Sequence, residues 1–145
     1  MSSEVIELIV VTPERPLIRE RVMGVTLPGA AGCLGILPGH APLITELGIG
    51  ELQYRIDSAS PVVAVAVMQG FAEVFGHRVT VLAETAERAE EIDLSRAEAA
   101  RKRAEERLAS GRPDVDWDRA VVALQRALVR IQVAAKRHSA AVLPQ

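Results

Sequence analysis

The hydrophobic period of the chain changes near residue 84, and this switch divides it into two parts that fold by different rules. Before it, short apolar runs are separated by turn residues, and nine of the ten glycines and six of the eight prolines precede Thr80. Residues 6–11, 22–27, 50–56, 61–68, 71–75 and 78–82 read as strands, with Gly76-His77 as a tight turn. Several short strands at this spacing predict an all-β sandwich or barrel. After residue 83 the period becomes helical. From Asp93 to Leu108 there is no glycine, proline or β-branched residue, and strong helix formers dominate. Asp93 is placed to cap that helix, and Ala97, Ala100, Ala104 and Leu108 share one face. Gly111-Arg-Pro113 breaks it, and Asp114 and Asp116 offer a second cap. A second helix over 117–137 aligns Ala120, Ala123, Ala127, Ile131 and Ala134. Two alanine-lined faces joined by a short turn predict an antiparallel hairpin whose backbones approach closely but bury little apolar area. The expected class is therefore α+β: an antiparallel β-sandwich over 1–86, a linker and helical hairpin over 87–138, and a patternless tail over 139–145.

Charge narrows the function. The net charge of −2 and the 3% aromatic content argue against a nucleic-acid binder. The longest purely apolar run, 62–68, is far short of a membrane span, and the start lacks the pattern of a signal peptide, so a cytoplasmic setting is expected. One cysteine, Cys33, leaves no internal disulfide and no cysteine-based zinc site, and His40, His77 and His138 show no ligand spacing. No nucleophile or metalloprotease motif is present, and the adjacent Glu90 and Glu91 do not share a helix face, so no enzyme is expected. Basic residues concentrate in the second part: residues 1–83 hold five of the 17, leaving twelve beyond. Arg119, Arg126, Arg130 and Arg137 form a stripe on the second helix. That stripe reads either as a solvated face with i,i+4 pairs or as a surface for an anion or an acidic protein.

The segment Gly35-Ile-Leu-Pro-Gly-His-Ala-Pro-Leu43 lacks the Gly-Lys-Ser/Thr of a phosphate loop. It resembles instead the epsilon subunits of bacterial F-type ATP synthases. Val11-Thr-Pro-Glu-Arg15, Gly70-Phe-Ala-Glu-Val74, Val79-Thr-Val-Leu-Ala83 and the linker-like Ala86-Glu-Arg-Ala-Glu-Glu-Ile-Asp93 extend the likeness over residues 4–138. The resemblance implies a sandwich of about ten strands and a C-terminal hairpin. It implies a non-catalytic rotor subunit in the central stalk of a proton-translocating synthase, peripheral on the cytoplasmic face of a bacterial membrane. The implied partners are the gamma subunit and the c ring, with the alpha and beta subunits met by an extended hairpin that inhibits ATP hydrolysis.

The same resemblance assigns residues. Ile92-Asp-Leu-Ser-Arg-Ala97 matches the family's nucleotide motif, implying that Asp93 and Arg96 touch ATP, a regulatory rather than obligatory ligand, in the folded-down hairpin. The family's other contacts fall on Glu87, Arg103, Arg126 and Arg130. Arg96 and Arg103 are seven apart and Arg126 and Arg130 four apart, so each pair shares a helix face, and converging guanidiniums suit a triphosphate. The bland alternative is that Asp93 is only a cap and the arginines only surface charge. An ATP-sensing module held folded by nucleotide is thus the alternative function. A second mechanism needs no ATP: Arg119, Arg126 and Arg130 on the extended hairpin would meet acidic loops of the beta subunits. The glycine-rich loop 29–42 is implied to lie near the c ring, through Gly32, Cys33 and His40. There Cys33 stands where the family usually has Glu, and His40 either contacts the ring or bonds within its own loop.

Overall fold

The computed structural model describes residues 4–142, with side chains described as far as Lys136. The element order is β1 (Ile6–Val11), β2 (Pro16–Val22), β3 (Gly24–Gly29), β4 (Gly32–Ile36), β5 (Leu43–Arg55), β6 (Val63–Phe75), β7 (Arg78–Arg88), a 3-10 turn (Ala89–Glu91), α1 (Leu94–Ala109) and α2 (Trp117–Val142). The chain separates into two compact units, Met1–Glu87 and Arg88–Gln145.

In the first unit all seven strands join one continuous sheet, in the order β2-β1-β7-β6-β5-β3-β4. Its edge strands reach the same core: Ile18 and Val22 of β2 and Ile36 of β4 belong to one hydrophobic cluster with Leu8, Leu27, Leu52, Val65, Val67 and Val81. The sheet therefore folds over on itself to form the sandwich. Period two drives this closure. Ile6, Leu8 and Val10 point inward from β1, and Val79, Val81 and Ala83 from β7. Each such branched side chain contributes about 1.5–3 kcal/mol on burial. The pairings of β1–β2, β3–β4, β3–β5 and β5–β6 are antiparallel, but β1 and β7 run parallel, from Glu7 opposite Arg78 to Val11 opposite Leu82.

Several local expectations change. There are seven strands among the described residues rather than about ten, because β5 and β6 are each 13 residues long. Residues 61–68 and 71–75, read as two strands, are one. Its pairing with β5 holds the same register from Val63 to Val74 across Gln69 and Gly70, although both have positive φ (64° and 132°). Gly70 is obligatory for a second reason: a Cβ there would lie 2.1 Å from the Leu82 carbonyl oxygen. β2 escapes the sequence because its burial does not alternate. Leu17, Ile18 and Val22 are buried, while Arg19, Glu20 and Arg21 are exposed. The run read as a strand over 22–27 is instead the end of β2 and most of β3, parted at Met23. Residues 29–42, read as a loop, hold strand β4, which pairs with β3 from Val25–Ile36 to Gly29–Gly32. Glycine is a weak strand former, but here the partner strand supplies the hydrogen bonds.

In the second unit the helices form as the sequence pattern predicts. The Asp93 carboxylate accepts from the Arg96 backbone N–H at 3.1 Å and starts α1, and Asp116 accepts from the Arg119 N–H at 3.1 Å and starts α2. Ala97 and Ala104 of α1 and Ala120, Ala127 and Ala134 of α2 are buried, as are Val129 and Val133. α2 runs on to Val142, past the expected end at residue 137, since nothing breaks the helix before Pro144. The side chain of Arg137, and residues 143–145 of the expected tail, lie outside what is described. The linker-like stretch is itself ordered: β7 continues to Arg88, whose backbone N–H donates to Glu91 Oε1 at 2.8 Å, and Ala89 and Ile92 are buried. No described helix is long and apolar enough to cross a membrane.

Candidate functional site

The hairpin carries most of the candidate residues. Asp93 is exposed, and its carboxylate is engaged at the head of α1. Arg96, Arg103 and Arg126 are exposed, and Arg130 is half-buried. Arg119 is exposed on the first turn of α2. Glu87 is half-buried and lies in the other unit, as its last residue. Two clefts open at the turn of the hairpin. One, of about 370 Å3, is lined by Arg107, Arg112, Asp114, Val115, Asp116, Arg119 and Ala120. The other, of about 220 Å3, is lined by Arg103, Glu106, Arg107 and Arg112. Arg103 and Arg119 thus share the turn region with two arginines that the sequence reading passed over, while Asp93, Arg96, Arg126 and Arg130 line neither cleft. The signal for Arg107 and Arg112 was present: a Gly-Arg-Pro breaker between two arginine-rich helices brings their flanks together.

The loop candidates sit on the sandwich. Gly32, with φ of 137°, closes the tight β3–β4 connection through its register partner Gly29. Cys33 is exposed on β4, an edge strand, opposite Pro28. His40 is half-buried, and its Nδ1 lies 2.7 Å from the Ala41 carbonyl oxygen, while its backbone N–H donates to the Leu37 carbonyl. Its ring is thus bonded within its own loop. Beneath the opposite edge, Glu7 joins three strands: Oε2 accepts from Arg19 of β2 and Oε1 from Arg78 of β7 at 2.9 Å. The hydrogen bonds from Arg78 and then Arg19 hold the Glu7 carboxyl below the usual carboxylate value.

Comparison with known proteins matches both units. Residues 5–89 fit the model of the ATP synthase delta/epsilon chain beta-sandwich domain, and residues 90–135 fit that of the long alpha-helix domain of the same chain. The chain belongs to the ATP synthase delta/epsilon family. Within that family it is similar to the ATP synthase epsilon chain of Syntrophobacter fumaroxidans, at 48% identity over 134 residues, 92% of this chain and 98% of that one. It is 49% identical over 125 residues to the epsilon chain of Desulforamulus reducens, covering 86% of this chain and 93% of that one. A chain in a structure of the Euglena gracilis mitochondrial ATP synthase (OSCP, F1 and c ring) shares the fold, with a TM-score of 0.76 at 23% identity. That match covers 91% of this chain and 82% of the other.

Proposed function

We propose that this chain is a non-catalytic central-stalk subunit of a proton-translocating ATP synthase, peripheral to the membrane on its cytoplasmic face. The observation that carries this reading is the match of both units, in order, to the two domains of one synthase subunit family. In it the sandwich docks on the gamma subunit and the c ring, using the β3–β4 connection and the His40 loop for the ring. Cys33 supplies no charge to that contact, so backbone and neighbouring side chains carry it. The hairpin is the regulatory part: extended, it would meet the alpha and beta subunits and resist ATP hydrolysis. Its small-residue interface favours this role, because alanine faces bury little area and release at low cost.

The test is ATP hydrolysis by the cognate catalytic complex with no added chain, with the full chain, and with a version ending at Ala86. Binding of both versions, with faster hydrolysis after truncation, is the expected result. Failure of both versions to bind the complex overturns the assignment to the stalk. Equal hydrolysis with both bound overturns the brake and leaves coupling as the role of the sandwich.

A second reading makes the hairpin an ATP sensor through Glu87, Asp93, Arg96, Arg103, Arg126 and Arg130. The exposure of Arg96, Arg103 and Arg126 favours it, since their donors face solvent, while the capping bond of Asp93 leaves that carboxylate less free for a ligand. ATP would stabilise the compact hairpin only through higher affinity for that state. An ATP titration in which Arg126→Ala responds like the unmodified chain rejects the sensor. If inhibition instead weakens when Arg119, Arg126 and Arg130 are made neutral, with no response to ATP, the electrostatic contact with the beta subunits carries regulation.

A further inference from the structure

We propose that the turn of the helical hairpin is a binding site for phosphate groups, with Arg107 and Arg112 at its centre and Arg103 and Arg119 on its two flanks. The site is separate from the residues of the ATP-sensor reading, apart from Arg103, and does not depend on that reading.

The frame comes first. α1 ends at Ala109, and the Ser110 hydroxyl then bonds in both directions: it donates to the Arg107 carbonyl at 2.8 Å and accepts from the Arg112 backbone N–H at 3.3 Å. Gly111, with φ of 67°, makes the reversal between them. The Val115 N–H then donates to the Arg112 carbonyl, and Asp116 caps α2. The backbone positions of Arg107, Arg112 and Arg119 are therefore fixed by a short chain of local bonds, and Arg103 stands one helical turn before Arg107 on the same face. On such a fixed backbone the planar guanidinium fork loses less freedom per hydrogen bond than a flexible ammonium does.

The charge balance points to an anion. The two clefts share Arg107 and Arg112 and together hold four arginines against Glu106, Asp114 and Asp116. Asp116 is already engaged with the N-terminus of α2. Asp114 lies 3.9 Å from Arg112 Nε, too far for a hydrogen bond, and both side chains are largely exposed. Among the described residues no ion pair joins Arg103, Arg107 or Arg119 to a carboxylate. Planar guanidinium forks with little carboxylate pairing, lining a cleft of about 370 Å3, can each donate two hydrogen bonds to oxygens of a tetrahedral phosphate. The cleft volume falls in the range of small-ligand sites, roughly 300–1,000 Å3. The phosphate can be inorganic or carried on a nucleotide, because the lining has no aromatic side chain to read a base.

The test titrates the full chain with inorganic pyrophosphate and, in a second arm, with ATP. Binding is followed by calorimetry and by the fluorescence of Trp117, the one tryptophan, which is exposed beside Asp116. Saturable pyrophosphate binding is expected, weakened roughly tenfold or more by Arg112→Ala and by Arg107→Ala, the usual loss for a charged hydrogen-bond partner. Arg112→Lys keeps the charge and loses the fork, so it should fall between the unmodified chain and Arg112→Ala. Arg21→Ala, an exposed position on β2 that lines neither cleft, should bind pyrophosphate within about twofold of the unmodified chain. Equal dependence of pyrophosphate and ATP on Arg112 supports a phosphate site indifferent to what carries the phosphate. Absence of pyrophosphate binding, or binding unchanged by both Arg107→Ala and Arg112→Ala, overturns the site. Pyrophosphate and ATP binding that are both lost in Arg126→Ala and both intact in Arg112→Ala also overturn it, and leave the sensor reading standing.

Discussion

The sandwich and the hairpin bury side chains by opposite means. In the sandwich, leucine, isoleucine and valine from all seven strands meet in one cluster, and residues as far apart in sequence as Leu8 and Val81 depend on each other. In the hairpin, the inner positions are mostly alanines, and each helix starts from its own aspartate cap. The first unit is therefore held by long-range burial and the second by local order with a thin interface.

The comparison can be broken most directly at Gly70. Its positive φ and the 2.1 Å approach of a Cβ to the Leu82 carbonyl leave no room for a side chain. Gly70→Ala should cost about 3 kcal/mol or more and lower the urea midpoint of the sandwich sharply, since strain and steric conflict add. Leu8→Ala, which empties a fully buried site, should cost about 2–5 kcal/mol in the same melt. A sandwich that tolerates both substitutions would not depend on long-range packing.

Within the hairpin the same kind of change should act locally. Ala104→Leu overfills a buried position and should destabilise helix packing by about 1–3 kcal/mol. Faster amide hydrogen exchange in α1 and α2, with the sandwich melt unmoved, is the expected signature. Equal losses in both units would show that they unfold together. Asp93→Ala removes one capping bond and should cost about 1 kcal/mol, read as fraying at the first turn of α1.

The smallest effect belongs to acid. Because Arg78 and Arg19 depress the folded-state value of Glu7, its contribution is present at neutral pH, above the ordinary carboxylate range. It is lost as pH falls through the lowered value. The sandwich should therefore weaken in acid, and Glu7→Gln should flatten that part of the pH profile slightly, as measured by thermal melts across pH. An unchanged profile would mean that these exposed pairs are fully screened.

The helices were legible because their signals are local: composition, caps at Asp93 and Asp116, and a breaker at Gly111-Arg-Pro113 all act within a few residues. Strands β1 and β7 were legible for a similar reason, since alternation marks a half-buried strand. β2 and β4 were not. β2 has no clean alternation, and β4 is rich in glycine, so each is a strand only because β1 or β3 pairs with it. Among the candidate residues, the sequence placed Arg96, Arg103, Arg126 and Arg130 on helices but could not say which side chains share a cleft. That depended on where the turn brings Arg107, Arg112 and Arg119 together.

Sequence alone determined the division into a β unit and a helical hairpin, the caps that start both helices, and the motifs that carry the family. Those features follow from dihedral preference, hydrogen bonds between near neighbours and the period of apolar residues. Tertiary structure alone decided the parallel pairing of β1 with β7, the single long β6 across Gln69 and Gly70, and the clamp on Glu7. In each case the deciding partner lies many residues away. Only when the sheet closes do its hydrogen bonds, charges and excluded volume reach the residue they control.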